Sequence, residues 1–113
     1  MTCKLLDGQL HMYKTQMYDL WEDDNFYIKC QMINDKPFIH LKVFNWSHNL
    51  YKELKQIWSQ ILKEFCVFGY ESVFIVIPDD DPKMYKFETK FGFKELQREG
   101  NQILMVCEVN YGN

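Results

Sequence analysis

The sequence predicts an α/β (α+β) domain in which helices flank a mixed β-sheet built around a central strand–helix–strand unit. Three observations predict it. An apolar stripe steps by three and four residues from Leu50 to Cys66. A continuous apolar run, Val73, Phe74, Ile75, Val76 and Ile77, follows it. On either side, β-rich segments pair up around polar turns. With 113 residues the chain suits one domain spanning 1–113. A 47% share of hydrophobic residues supplies the core that disordered chains lack.

The first element expected is a helix over 10–21, where Leu10, Tyr13, Met17, Leu20 and Trp21 fall near one helical face, although the aromatics also suit a strand. Residues 25–33 and 38–44 are β-rich and flank Asn34-Asp35-Lys36-Pro37, which reads as a hairpin turn. In the second strand Ile39, Leu41 and Val43 alternate with Phe38, His40, Lys42 and Phe44, the pattern of a pleated strand.

The long helix over 49–67 carries the stripe Leu50, Leu54, Ile57, Trp58, Ile61, Leu62, Phe65 and Cys66, with a charged opposite face. Ser47 is its expected N-cap, Trp46 its staple onto Tyr51, and Gly69 its stop. The run ending at Ile77 is expected to be a central strand buried on both faces. A second helix over 83–90 opens with Asp81 as cap and Pro82 at its first position, and ends at Gly92. Residues 93–97 and 102–109 form a closing hairpin around Arg98-Glu99-Gly100-Asn101.

A net charge of −3 gives no pull toward nucleic acid, and no apolar run is long enough to span a bilayer. The N-terminal residues lack the uninterrupted apolar segment of a signal peptide, so a cytoplasmic protein is expected. The four cysteines, Cys3, Cys30, Cys66 and Cys107, have no metal-ligand spacing. No metal is expected; the thiols read as reduced and mostly buried. Glu22-Asp23-Asp24 and Asp79-Asp80-Asp81 are consecutive carboxylates, which rarely converge on one ion. The second group complements a helix N-terminus. The Tyr-, Phe-, Lys- and Asn-heavy vocabulary matches that of an AT-rich genome, such as some phages have.

The segment 74–93 resembles the C-terminal half of the GNAT superfamily of acyl-CoA-dependent N-acyltransferases. A buried strand, a polar break and a short helix lead into Glu88-Thr89-Lys90-Phe91-Gly92-Phe93, in the register of that family's Tyr-Glu-Lys-Leu-Gly-Phe. With the preceding strand and long helix, the resemblance covers roughly 38–109. It implies transfer of an acetyl group from acetyl-CoA to an amine acceptor.

The resemblance also implies the site residues. Backbone N–H groups near Val43 and Phe44 would polarise the thioester. The start of the long helix, Ser47, His48, Asn49, Leu50 and Tyr51, would face the CoA pyrophosphate. That stretch lacks the family's glycines and arginine. Glu88 stands where many members have the tyrosine that protonates the departing thiolate, and Tyr85 lies one turn earlier. From its own chemistry His40, on the strand lining the cleft, reads either as a hydrogen-bonded, half-buried strand histidine or as the general base. The missing glycines frame a second expectation: a catalytically degenerate interaction module with a protein partner and no acetyl-CoA turnover. A phage-encoded accessory or virion-associated protein, in host cytoplasm or virion, fits its size.

Overall fold

Residues 16–110 are described by the computed structural model of the chain. The elements are β1 (Gln16–Glu22), β2 (Phe26–Ile33), β3 (Lys36–Val43), α1 (His48–Val67), β4 (Ser72–Pro78), α2 (Pro82–Lys90), β5 (Lys94–Glu99) and β6 (Gln102–Glu108). The strands form one sheet in the order β1-β2-β3-β4-β6-β5. β3 and β4 run parallel, as a strand–helix–strand crossover requires, and every other neighbouring pair is antiparallel. The mixed sheet and its central unit are as the sequence predicts.

The first element is a correction. Residues 16–22 form a strand paired with β2, from Gln16↔Met32 to Glu22↔Tyr27, and not part of a helix. The rest of the expected helix, 10–15, lies outside the described residues. The register slips between Asp19 and Trp21. This irregularity breaks the strict alternation of a strand and leaves Met17, Leu20 and Trp21 spaced like a helical face. The aromatic content was the better guide, for the Trp21 ring stacks on Phe26 at 6.4 Å.

The β2–β3 turn is tighter than the four polar residues suggest. Asn34 and Asp35 alone make it, with φ of 51° and 63°. Positive φ at both central residues is the type I′ geometry, whose twist suits a two-residue hairpin, and Asn and Asp tolerate it best after glycine. The turn fixes the register Ile33↔Lys36 through Phe26↔Val43. The closing hairpin turns at Gly100, φ 60°, followed by Asn101.

Both helices stop by the same device. In α1, Gly69 (φ 91°) donates to Cys66 O and Tyr70 N to Phe65 O, both at 3.0 Å. In α2, Gly92 (φ 98°) donates to Thr89 O and Phe93 N to Glu88 O, at 3.2 and 3.1 Å. These are Schellman caps, and each needs a residue free to take positive φ. At the other ends Ser47 Oγ accepts from Leu50 N at 3.1 Å and Asp81 Oδ1 from Met84 N at 3.0 Å.

The core lies between the helices and one sheet face. Leu50, Leu54, Ile57, Trp58, Ile61, Leu62 and Phe65 are buried against Phe26, Ile28, Ile39, Val73, Ile75 and Ile77. Cys66, expected in that stripe, is exposed, while Cys30 and Cys107 are buried. β4 is buried fully on the helix side only. Phe74 and Val76, on the opposite face, are half-buried, with Phe74 stacked on Phe38 at 5.3 Å. Among the described residues no helix is long and apolar enough to cross a membrane.

Candidate active site

β4 pairs with β6 along its whole length, from Ser72↔Glu108 to Pro78↔Gln102. With β3 it is registered at Phe38↔Phe74 alone. Beyond that pair a cleft of about 220 Å³ opens between the parallel strands, lined by Tyr27, Ile39, His40, Leu41, Lys42, Ile75, Val76, Ile77, Pro78, Met84 and Glu88.

The backbone in the cleft follows from the hairpin register. Ile33↔Lys36 closes the two-residue turn, and Phe44 N donates to Asn25 O at 2.7 Å. Strand N–H groups alternate between neighbours, so those of His40, Lys42 and Phe44 point to β2 and those of Leu41 and Val43 toward β4. The Phe44 N–H, expected to polarise a thioester, is therefore engaged with Asn25. Val43 keeps its orientation into the gap, and Leu41, which sequence reasoning passed over, joins it.

Glu88 is the centre of the site. It is 2% exposed and its Oε2 has no hydrogen-bond partner, the one such buried side-chain oxygen or nitrogen among the described residues. It lines both the cleft and a small apolar pocket beneath it, where Ile28, Leu54, Trp58, Phe91 and Phe93 surround it. Burial pushes its carboxyl up to about 8, so it is protonated at neutral pH. Its position is held from α1: Trp58 Nε1 donates to Phe91 O at 3.0 Å and Lys55 Nζ to Lys90 O at 2.6 Å, pinning the end of α2.

His40 lies on the other face of β3, half-buried, with Nε2 2.9 Å from Gln31 Oε1. Burial holds its pKa below the usual value. Tyr85 is not brought to the cleft. Its hydroxyl donates to Glu95 Oε1 at 3.1 Å on β5, and Arg98 lies over its ring. The cleft therefore joins two of the three expected acid–base residues.

At the start of α1, Ser47, His48 and Asn49 are exposed. By helix geometry the His48 and Asn49 N–H groups have no intrahelical acceptor. The Leu50 N–H is taken by Ser47, and its side chain is buried in the core. Tyr51 packs against Phe87 and Phe91, with centroids 6.4 and 5.7 Å apart. Trp46 does not staple onto Tyr51 as expected; it meets Phe87 edge-on at 5.1 Å. The missed residue is Phe87, which draws both rings and ties the α1 N-terminus to α2.

The acidic clusters are local devices. Asp23 accepts from Trp21 Nε1, Asn25 N and Phe26 N, which lowers its pKa, and Asp81 caps α2.

No protein-family model matches the chain, and no curated protein does. Solved structures do. Spermidine N-acetyltransferase SpeG from Vibrio cholerae, in its N152L form, is similar over 94% of this chain and 71% of its own, at 10% identity and a TM-score of 0.61. A GnaT-family acetyltransferase from Bordetella pertussis is similar over 91% and 71%, at 11% identity and a TM-score of 0.56. A structure of SsHAT is similar over 66% of this chain, at 16% identity and a TM-score of 0.57, and the chain spans only 37% of that protein. The strand order, the parted β3 and β4 and these likenesses agree: the chain has the fold of the GNAT N-acetyltransferases, in a divergent sequence.

Proposed function

We propose that the protein is a GNAT-type N-acetyltransferase that moves an acetyl group from acetyl-CoA to an amine. The observation that carries this reading is the gap between β3 and β4, where free strand N–H groups lie beside a buried, protonated carboxyl. An acyl thioester entering the gap can pair with the β3 edge as a missing strand would. The Leu41 and Val43 N–H groups then stabilise the negative charge that grows on the carbonyl oxygen. Amine attack forms the C–N bond, the C–S bond breaks, and the Glu88 carboxyl gives its proton to the departing thiolate. Glu88 thus takes the part of the family's tyrosine, in the same register of the motif. The pyrophosphate faces the His48 and Asn49 N–H groups, with Ser47 at the rim. An amine acceptor accords with the spermidine in the name of the SpeG neighbour.

Calorimetric titration with acetyl-CoA tests the reading. Saturable binding and turnover with a primary amine are expected. Glu88→Gln should lower kcat by about 10²–10⁴-fold with little change in acetyl-CoA affinity, because the lost proton transfer acts in the transition state. Absence of heat at millimolar acetyl-CoA refutes the reading and leaves the non-catalytic interaction module, in which the rings of Trp46, Tyr51 and Phe87 close the helix start to phosphates.

A further inference from the structure

We infer that Gln31 is a positioning residue: it fixes His40 as the Nε2–H tautomer and so leaves Nδ1 as the proton acceptor of the cleft. The inference about the ring stands on the hydrogen bond itself; its use toward an amine rests on the function proposed above.

An amide oxygen has lone pairs and no proton, so the ring nitrogen 2.9 Å from Gln31 Oε1 must carry the hydrogen. A neutral imidazole has a single N–H. Nδ1 is then a bare lone pair, and among the described residues it has no hydrogen-bond partner. The hairpin makes this geometry rigid. In the β2–β3 register Lys29 stands opposite His40 and Gln31 opposite Phe38, which puts Gln31 on the diagonal of His40 and on the same sheet face. Gln31 is itself buried, 9% exposed, so its amide has little freedom to leave the ring.

Burial keeps the ring neutral, and the charged groups around it are few. Lys29 faces it from β2, shared with Asp19 at 3.8 Å and lying 4.7 Å over the Tyr27 ring. Lys42 follows two residues along β3, over Phe44. β4 offers Phe74 and Val76, which carry no charge, and α2 offers Glu88, held protonated. Burial disfavours imidazolium, which leaves the ring free to receive a proton.

In the acyl transfer this completes the proton balance. The amine nitrogen bonds to the acetyl carbon and loses its proton to His40 Nδ1, while the thiolate that leaves takes one from Glu88. The products are the amide and the free thiol. His40 then returns its proton to solvent and Glu88 regains one.

The test is nitrogen-15 NMR of the free chain, with the His40 signals assigned by comparison with His40→Gln. The wild-type ring should show a protonated Nε2 and a bare Nδ1. Gln31→Met, of similar length and shape, should let the Nδ1–H form appear, and the same spectrum reports whether the variant is folded. Gln31→Glu places a carboxylate on the Nε2–H; it should keep the tautomer and raise the His40 midpoint by about one unit or more. The acidic limb of the acetyl-transfer pH profile, where the general base must lose its proton, should move with it. A wild-type ring protonated at Nδ1, or a tautomer unchanged in folded Gln31→Met, overturns the inference whatever the enzymatic result. Loss of acetyl-CoA binding alone would instead overturn the functional reading and leave the ring geometry standing.

Discussion

The two long edges of β4 face opposite fates. Along β6 it is hydrogen-bonded from Ser72 to Pro78, and its inward residues Val73, Ile75 and Ile77 meet Cys107, Met105 and Ile103, all buried. Along β3 the ladder stops at Phe74, and the polar chemistry of the molecule collects there: strand N–H groups, a histidine fixed by an amide, and a carboxyl with an unpaired oxygen. Backbone pairing and a reactive site compete for the same groups. A sheet that zipped fully would be more stable and would leave no free strand N–H groups for the proposed reaction.

The comparison is broken most severely by removing what holds the gap's floor. Trp58 is stacked on Phe93 at 5.6 Å, is 5% exposed and pins the end of α2 through Phe91 O. Trp58→Ala should cost about 3–5 kcal/mol in denaturant unfolding. A midpoint near wild type would show that Trp58 is not part of a packed core.

A smaller change should act in the opposite direction. The Glu88 carboxyl titrates near 8 in the fold, against 4.5 for the ordinary group. Below 4.5 both folded and unfolded forms are protonated and burial of the group costs no ionisation energy. As pH rises from there to about 8 the unfolded chain releases a proton that the native chain retains, so stability falls across that window and levels off above it. Glu88→Gln should therefore match wild type near pH 4 and exceed it by a few kcal/mol near pH 9, on the order expected for a shift of this size. Melting curves of the two proteins that run parallel across pH would rule out a buried, uncompensated carboxyl.

The smallest effect lies far from the gap. At Gly69 an added Cβ meets nothing within 4 Å, so Gly69→Ala tests the backbone alone. Its φ of 91° should cost about 1–2 kcal/mol, read as a lower urea midpoint, with acetyl-CoA affinity unaltered. A change in affinity would mean that the two ends of α1 are coupled.

The sequence disclosed the parts whose physics is local. The stripe of α1, the caps Ser47 and Asp81, the stops Gly69 and Gly92 and the two hairpins all follow from spacing and turn chemistry, and all appear. β1 was hidden because one register slip makes a strand look helical. Within the site, Glu88 could be named from its place in the motif, but not its isolation, which depends on side chains from α1, β2 and β3. Gln31 was legible in principle. Once Asn34 and Asp35 are taken as a two-residue turn, the register sets it diagonal to His40. Reading the turn two residues too wide concealed the pair. Phe87 gave no local signal, because Trp46 and Tyr51 reach it from a different element.

The last strand of the sheet order has a further consequence. β5 is Lys-Glu-Leu-Gln-Arg-Glu, exposed throughout, with its register broken between Glu95 and Gln97 and Arg98 folded back onto Glu95 at 2.8 Å. A straight terminal strand of apolar residues would invite the next molecule to continue the sheet, and the process would repeat without limit. Here an approaching strand meets alternating charges and a kink that throws its own hydrogen bonds out of step. In a chain rich in aromatic, β-forming residues, the kink and the charges work against sheet-to-sheet growth at this edge.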